Sequence, residues 1–372
     1  MQATKRLIGL DAIRAIAILL VVLTHYLGFY FGITGRWCWP LGVLGVEMFF
    51  VLSGYLIGGI LLDVIAKNNG RLTPPVLLNF WMRRWFRTIP NYLLFLAIFI
   101  VGFHRYDPKE IATYLTFTQN LFHPVPGFFD ISWSLAVEEW FYLLFPISIL
   151  LFSVTNWRMR YKVLAATAVL FICPLVLRIV YGPGLEWDSG VRKIVVMRLD
   201  ALMWGVLVAA MKRYAPAYFQ KLQSPKFFGA GLVLLITLLL SLNMKFKPAE
   251  DFIATWADAF WFSGFSLSVA LMMPFCVAIR SLPLPLSHVA MRISLWSYSM
   301  YLCHEPVMFV TKKLFHELPR GFLIAITSVV ILAVSALLYH FFEVPMLRLR
   351  DKGDVFRKFL PGFRRQSGNS PA

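Results

Sequence analysis

Apolar runs of about 20 residues follow one another along the chain, with short polar stretches between them. A run of this length is typical of an α-helix that crosses roughly 30 Å of hydrocarbon. The pattern therefore predicts an all-α, polytopic membrane helical bundle of about ten transmembrane helices. The predicted spans are residues 7–30, 42–65, 88–103, 132–152, 163–180, 194–211, 227–243, 256–279, 294–313 and 321–342.

The composition supports this interpretation. Of 372 residues, 59% are hydrophobic and only 15% are charged, whereas a soluble domain would hold about a quarter charged residues. The four cysteines show neither a disulfide framework nor a metal-ligand spacing, and no metal is predicted.

Lysine and arginine residues concentrate on one side of the predicted bundle, with about 23 beside the termini against about 10 opposite. Cytoplasmic loops are enriched in these residues, so both termini are predicted to be cytoplasmic. The net charge of +17 is then explained by topology and anionic lipid headgroups, and nucleic-acid binding is not expected. We expect a transmembrane domain over residues 1–347 and a basic cytoplasmic tail over residues 348–372.

Three ionisable side chains interrupt the first span, LIGLDAIRAIAILLVVLTHY: Asp11, Arg14 and His25. A charge at the bilayer centre costs about 2.5–3.5 kcal/mol on insertion scales. Helical periodicity puts Arg14 and His25 within about 20° of each other, with Asp11 one turn earlier. This stripe favours a polar cavity, although an Asp11–Arg14 packing pair and a structural His25 are open alternatives.

Other spans and their edges also carry polar groups. They are Glu47 in GVEMFFVLSGYLIGGIL, Arg84 and Arg87 in RRWFRTIP, Ser134, Glu138, Glu139 and Tyr142 in SWSLAVEEWFYLLFP, Arg198 and Asp200 in MRLDALMWG, Tyr301, His304 and Glu305 in SYSMYLCHEP, and Glu343 near the last span. Intramembrane ionisable groups in such number indicate a polar cavity or pathway.

The two glutamates of the fourth span point in different directions. Ser134, Glu138 and Tyr142 are spaced four residues apart and share one helix face, whereas Glu139 points about 100° away. The two carboxylates are therefore expected to do different jobs.

Six of these motifs, in this order, are similar to those of the acyltransferase-3 family of integral membrane O-acyltransferases. They are LDAIRAIAILLVVLTH, VEMFFVLSGYLI, RRWFRTIP, WSLAVEEWFYLLFP, RLDALMWG and SYSMYLCHEP. The resemblance implies transfer of an acyl group, most often acetyl, from cytoplasmic acyl-CoA to a hydroxyl, usually of a sugar, across the membrane. It also implies that His25 is the catalytic histidine, that Arg84 and Arg87 are the family's paired arginines, and that Glu138 is a catalytic-site residue.

Elementary chemistry agrees with these roles. A sugar hydroxyl needs a general base, which a histidine can supply near neutral pH, and arginine binds phosphates such as those of CoA. Arg14, with Asp11, is expected at the cytoplasmic mouth beside the donor. Glu138 could orient the imidazole or hold the acceptor. Further cavity residues are expected to be Glu47, Ser134, Arg198, Asp200, Tyr301 and His304, and of these Glu47, Arg198 and Asp200 could line the acceptor side.

Two other functional classes fit parts of the sequence. A proton-coupled transporter would also use buried Glu, His and Arg, but no repeated halves are visible. A non-catalytic subunit of an envelope polysaccharide assembly would explain the topology but not the ionisable groups. The expected partners are acyl-CoA, a carbohydrate or other hydroxyl-bearing acceptor and membrane lipids, and the expected location is a bacterial inner (plasma) membrane. Direct transfer and transfer through a covalent acyl intermediate both stay open.

Overall fold

The computed structural model describes residues 6–33, 39–102, 104, 107–241 and 252–351. These residues form helices and loops, with no β-strand among them. The α-helices are α1 Ile8–Phe31, α2 Trp39–Lys67, α3 Pro74–Gly102, α4 Pro108–Leu115, α5 Ser132–Leu151, α6 Met159–Tyr181, α7 Asp200–Tyr214, α8 Pro216–Leu222, α9 Pro225–Ser241, α10 Phe252–Ala278, α11 Leu284–Leu314, α12 Arg320–Leu338 and α13 Val344–Asp351. From residue 352 onward, the predicted basic tail lies outside the described residues.

Each predicted span coincides with a helix, which confirms the all-α membrane bundle. Within the described part of the chain, seven helices are long and apolar enough to cross a membrane, or eight if α8 and α9, bent by 65°, form one span. The other two predicted spans fall on α7 and α11. Helix α7 has only 15 residues, whereas α11 has 31 but carries charged residues along its length. The number of crossings and the side of the termini therefore stay predictions.

Helix α3 begins at Pro74, well before the predicted start at residue 88. Proline is favoured in the first turn of a helix, and the arginines that follow do not interrupt helical backbone hydrogen bonding. They lower only the hydropathy that set the predicted boundary. Arg84 and Arg87 consequently lie inside the helix rather than in the stretch preceding it.

Helices α1 and α11 run side by side in the same direction. The Ser294 hydroxyl, in the first half of α11, donates to Asp11 in the first turn of α1 at 2.6 Å. The hydroxyls of Tyr30 and Thr311 approach to 3.4 Å further along both helices. A parallel arrangement is what an alternating topology requires of its first and ninth spans. Polar side chains of α1 therefore lie at the same depth in the bundle as polar side chains of α11.

Helices α2 and α7 approach each other most closely at two glycines. A Cβ atom added to Gly54 would lie 1.9 Å from the backbone oxygen of Leu202, and one added to Gly205 would lie 2.0 Å from that of Val51. Small residues allow such close contact between membrane helices, whose association depends on packing rather than on the hydrophobic effect. This contact forms a rigid core beside α1.

Candidate active site

A pair of histidines lies toward the carboxyl-terminal end of α1. The Nδ1 atom of His25 is 2.5 Å from Nε2 of His304 on α11, and the two ring planes are inclined by 18° with centroids 4.7 Å apart. The His304 side chain is fully buried, whereas that of His25 is 34% exposed. Only His25 can therefore meet a substrate directly.

Glu305 adds a carboxylate to this pair. Its Oε1 atom lies 3.6 Å from Nδ1 of His25, and its side chain is 27% exposed. Together His25, His304 and Glu305 could offer three metal ligands, since their ligand atoms lie within 4.8 Å of one another. Two nitrogens on one tetrahedral zinc, however, would be about 3.3 Å apart given Zn–N bonds of about 2.0–2.1 Å. The shorter contact between the histidines fits a shared proton better.

Charged loop residues surround the open side of the histidine pair. Lys193, between α6 and α7, bonds Asp130 at 2.8 Å and Asp188 at 3.2 Å. The guanidinium of Arg192 lies 4.7 Å from the ring of Trp133. Both cations interact electrostatically with His25, so the loops place charge at the entrance to the site.

Three arginines converge at the other end of α1. Arg14 and Arg84 each interact electrostatically with Arg87. Arg84 is buried, and its Nε atom has no hydrogen-bond partner among the described residues. Among the residues that the structure describes, no carboxylate lies within ion-pair distance of any of the three guanidinium groups. Like charges held together without full pairing form a site suited to an anion.

Glu138 belongs to the arginine end of the site. Its carboxylate accepts hydrogen bonds from Ser53 at 2.7 Å and from Tyr142 at 2.8 Å. It also interacts electrostatically with Arg14 and Arg87. Arg14 precedes His25 by about 16 Å along the helix axis. Glu138 therefore lies at the arginine end of the site, away from the imidazole that it could orient in one of the two roles considered for it.

Glu139 faces a different neighbour, as the helix periodicity predicted. It is buried and accepts a 2.6 Å hydrogen bond from Thr88 on α3. Ser134, at the start of the same helix, bonds the hydroxyl of Tyr301 at 2.6 Å. Tyr301 in turn donates to the backbone oxygen of Ile131 at 2.9 Å. These bonds fix α5 against α3 and α11 at two depths.

Asp11 does not form the packing pair with Arg14 that was one of the open alternatives. Its carboxylate accepts hydrogen bonds from Arg6 at 3.1 and 3.2 Å and from Ser294 at 2.6 Å. The acceptors are therefore used by a residue before the helix and by α11. This leaves the Arg14 guanidinium available at the mouth of the site.

Glu47, Arg198 and Asp200 differ from the expectation that they line the acceptor side. Arg198 pairs with Glu47, and Arg178 forms a bidentate pair with Asp200 at 2.8 and 2.7 Å. All four side chains are buried, and a serine of α10 donates to each carboxylate. The two pairs join α2, α6, α7 and α10.

Sequence reasoning did not include Glu305 among the site residues. It adjoins His304 and would point about 100° away from it on the helix. Both nevertheless lie close to Nδ1 of His25, His304 at 2.5 Å and Glu305 at 3.6 Å. The only signal was the adjacent His-Glu pair in the motif SYSMYLCHEP.

Comparisons with known proteins agree with the resemblance carried by these motifs. A family model described as an acyltransferase domain matches residues 7–340. O-acetyltransferase OatA of Staphylococcus aureus is 27% identical over 97% of this chain and 60% of its own length. Peptidoglycan O-acetyltransferase OatA of Listeria monocytogenes is 27% identical over 96% of this chain and 57% of its own length.

The chain thus spans about three fifths of the length of these relatives, at 60% and 57%. No solved structure matches it significantly. The membrane helices, the family model and the bacterial hosts of the relatives fit an integral protein of a bacterial inner membrane.

Proposed function

Because the chain belongs to the acyltransferase-3 family, we propose that it transfers an acetyl group from acetyl-CoA to a hydroxyl of an envelope glycan. The donor would enter at the arginine end of α1 from the cytoplasm, and the acceptor would arrive from the other side at His25. The names of the relatives favour peptidoglycan as the acceptor. The family match favours this function over a transporter or a non-catalytic subunit.

The arginine cluster supports a CoA donor. CoA carries a diphosphate and a 3′-phosphate, and guanidinium groups bind phosphate oxygens through two parallel hydrogen bonds. Arg84, with an unpartnered Nε in a buried position, has a donor to offer. Glu138, held by Ser53 and Tyr142, limits the repulsion between Arg14 and Arg87 and keeps them in place.

The distance between the two ends of the site fits the length of the donor. The pantetheine arm from phosphate to sulfur is a chain of roughly thirteen bonds, or about 15 Å when extended. Arg14 and His25 are about 16 Å apart along α1. Phosphates held at the arginines would therefore bring the thioester to the imidazole.

The histidine supplies the chemistry that a hydroxyl acceptor needs. The imidazole of His25 removes the hydroxyl proton as the acceptor oxygen attacks the thioester carbonyl carbon. The carbon–sulfur bond then breaks, and the CoA thiolate takes the proton from the imidazolium. The products are the O-acetyl ester and CoA. The observation that carries this proposal is a partly exposed histidine about one pantetheine length from three converging arginines.

The test uses the full chain in membrane vesicles, radiolabelled acetyl-CoA and soluble peptidoglycan fragments. We expect acceptor-dependent release of CoA and label in an ester of the fragments. His25→Gln should lower turnover by about 10²–10⁴-fold or more, with unchanged protein level and acetyl-CoA binding. His316→Gln is a matched control, because this histidine is 70% exposed in the loop after α11.

Sidedness is tested with the same vesicles. The peptidoglycan fragments are enclosed in the vesicle lumen. Acetyl-CoA does not cross membranes, so vesicles that expose the cytoplasmic face should use external donor to acetylate the enclosed fragments, and vesicles of opposite orientation should not. Near-normal turnover of His25→Gln would remove the histidine from the chemistry. Equal use of external donor by both orientations would refute the assigned sides.

A further inference from the structure

We propose that His304 is a positioning residue that fixes the tautomer of His25, so that Nε2 of this partly exposed histidine is the general base. The inference rests on the proposed function for its consequence in catalysis. Its geometric argument rests only on the hydrogen bonds of the His25 and His304 rings. His304 itself is fully buried and does not meet substrate.

The tautomer of His304 follows from its backbone contacts. Its Nδ1 atom lies 2.7 Å from the carbonyl oxygen of Tyr301 and 3.2 Å from that of Met300. A carbonyl oxygen only accepts, so Nδ1 must carry the proton. In a neutral imidazole the other nitrogen is then an acceptor. The Nε2 atom of His304 therefore presents a lone pair to α1.

The tautomer of His25 follows in turn. Its Nδ1 atom, 2.5 Å from Nε2 of His304, has to donate the proton of that contact. Its own Nε2 is then unprotonated and carries the lone pair that a general base needs. Since 34% of the His25 side chain is exposed and its Nδ1 atom is engaged with His304, Nε2 is the nitrogen left for an acceptor hydroxyl.

The burial of His304 makes this arrangement rigid. Rotation of its ring would leave the buried Nδ1–H group without its carbonyl acceptors, which costs about 1–3 kcal/mol. Glu305, Arg192 and Lys193 also face His25, and Glu305 interacts electrostatically with Asp130. Glu305 is the only one of these three side chains that could accept a hydrogen bond from Nδ1 of His25, but its Oε1 atom lies 3.6 Å away, beyond hydrogen-bond distance.

The role resembles that of the third group in hydrolase triads, which holds a histidine in one tautomer. Loss of that group in a serine protease lowers kcat about 10⁴-fold because the wrong tautomer results. Here the orienting group is neutral. Its Nε2 atom accepts a hydrogen bond from Nδ1 of His25 and adds no charge to the membrane interior, where an unpaired charge is costly.

Two variants separate orientation from packing. His304→Asn can keep a donor near the Tyr301 carbonyl but has no acceptor at the position of Nε2. His304→Gln can place its amide oxygen there. We expect His304→Asn to lower kcat about 10³–10⁴-fold with the KM for acetyl-CoA changed less than about twofold. His304→Gln should recover at least about tenfold over His304→Asn.

The tautomers are measured directly by ¹⁵N NMR of histidine-labelled full chain in lipid nanodiscs at about pH 8, with the His25 signals assigned from His25→Gln. We expect His25 to be protonated at Nδ1 and unprotonated at Nε2, and His304 likewise. His304→Asn should lose this preference at His25. The acid limb of the pH–rate profile should also move in His304→Gln, because the proton there binds one imidazole rather than a coupled pair.

The outcomes distinguish this inference from the proposed function. If wild-type His25 carries its proton on Nε2, or if His304→Asn keeps kcat within about threefold, the positioning role is refuted. If His25→Gln stays active, the base assignment in the proposed function fails as well. Absence of transfer to any hydroxyl acceptor refutes the proposed function alone, and the NMR result still decides the tautomer.

Discussion

Glu305 provides a sharp test of electrostatics at the site. When His25 takes the acceptor proton, it becomes an imidazolium whose Nδ1 atom lies 3.6 Å from the Glu305 carboxylate. Before the proton moves, the imidazole is neutral and gains little from this carboxylate. The interaction is therefore stronger in the transition state than in the ground state, and only such a difference accelerates the reaction. Glu305→Gln removes the charge while keeping the size of the side chain.

The size of the effect follows from the distance and the exposure. Two unit charges at this separation attract each other by about 5 kcal/mol at an effective dielectric constant of about 20, and by about 1 kcal/mol in water. The side chains are 34% and 27% exposed, so an intermediate value of about 2 kcal/mol is appropriate. That corresponds to a loss of roughly 30-fold in kcat for Glu305→Gln.

The assay is acetyl transfer at about pH 8 with saturating acetyl-CoA, with kcat and KM measured separately. We expect kcat to fall and the KM for acetyl-CoA to stay unchanged, because the arginines are at the other end of α1. Glu317→Gln is the matched control: its carboxylate lies 3.9 Å from His316 but is 88% exposed in a loop. A Glu305→Gln protein with wild-type kcat would refute the claim that this carboxylate stabilises a developing imidazolium.

Two further predictions concern the donor end and the helix packing. Arg84→Lys and Arg87→Lys keep the charge but lose the two-pronged guanidinium, so the KM for acetyl-CoA should rise about tenfold, equivalent to one charge-assisted hydrogen bond of about 1.5 kcal/mol. The control Arg158→Lys, at an exposed site, should leave this KM unchanged. Equal KM values in all three variants would disprove a donor site. Gly54→Ala forces a Cβ to 1.9 Å from a backbone oxygen of α7 and should destabilise the protein by about 1–3 kcal/mol, which would lower its melting temperature in detergent. Gly229→Ala, with no atom within 4 Å of the added Cβ, should leave the melting temperature unchanged. Equal melting temperatures of the two variants would refute the close packing.

Hydropathy was sufficient to predict the helices but not all of their bounds. The apolar runs fall on helices because a spanning segment must satisfy its own backbone hydrogen bonds. The start of α3 at Pro74 was missed because hydropathy falls at the arginines although the helix continues. Helix periodicity within one element was reliable: Glu138 and Glu139 have separate partners, as their 100° separation predicted.

The partners of the ionisable groups could not be predicted in the same way. His25 and His304 are 279 residues apart in the chain, and no local pattern says which helices are neighbours. Asp11 bonds Arg6, from before the apolar run, although Arg14 is nearer in helical spacing. Such choices depend on which side chain the tertiary packing brings within reach, and a single sequence does not contain that information.

The pairing of buried charges separates structure from function in this bundle. The guanidinium of Arg178, whose side chain has no exposed area, is satisfied by Asp200 and by backbone oxygens. A buried charge that is fully paired in this way supports the fold, and losing one partner would cost about 3–5 kcal/mol. Arg84 is also buried, but it lies with Arg14 and Arg87, which repel it and each other, and none of the three has a close carboxylate among the described residues. Such an arrangement does not stabilise the fold, whereas an anionic donor that binds there would supply the missing partners. In the proposed function, the ionisable groups of α1 therefore have two uses: Arg14 helps to bind the anionic donor, and His25 accepts the proton of the acceptor hydroxyl.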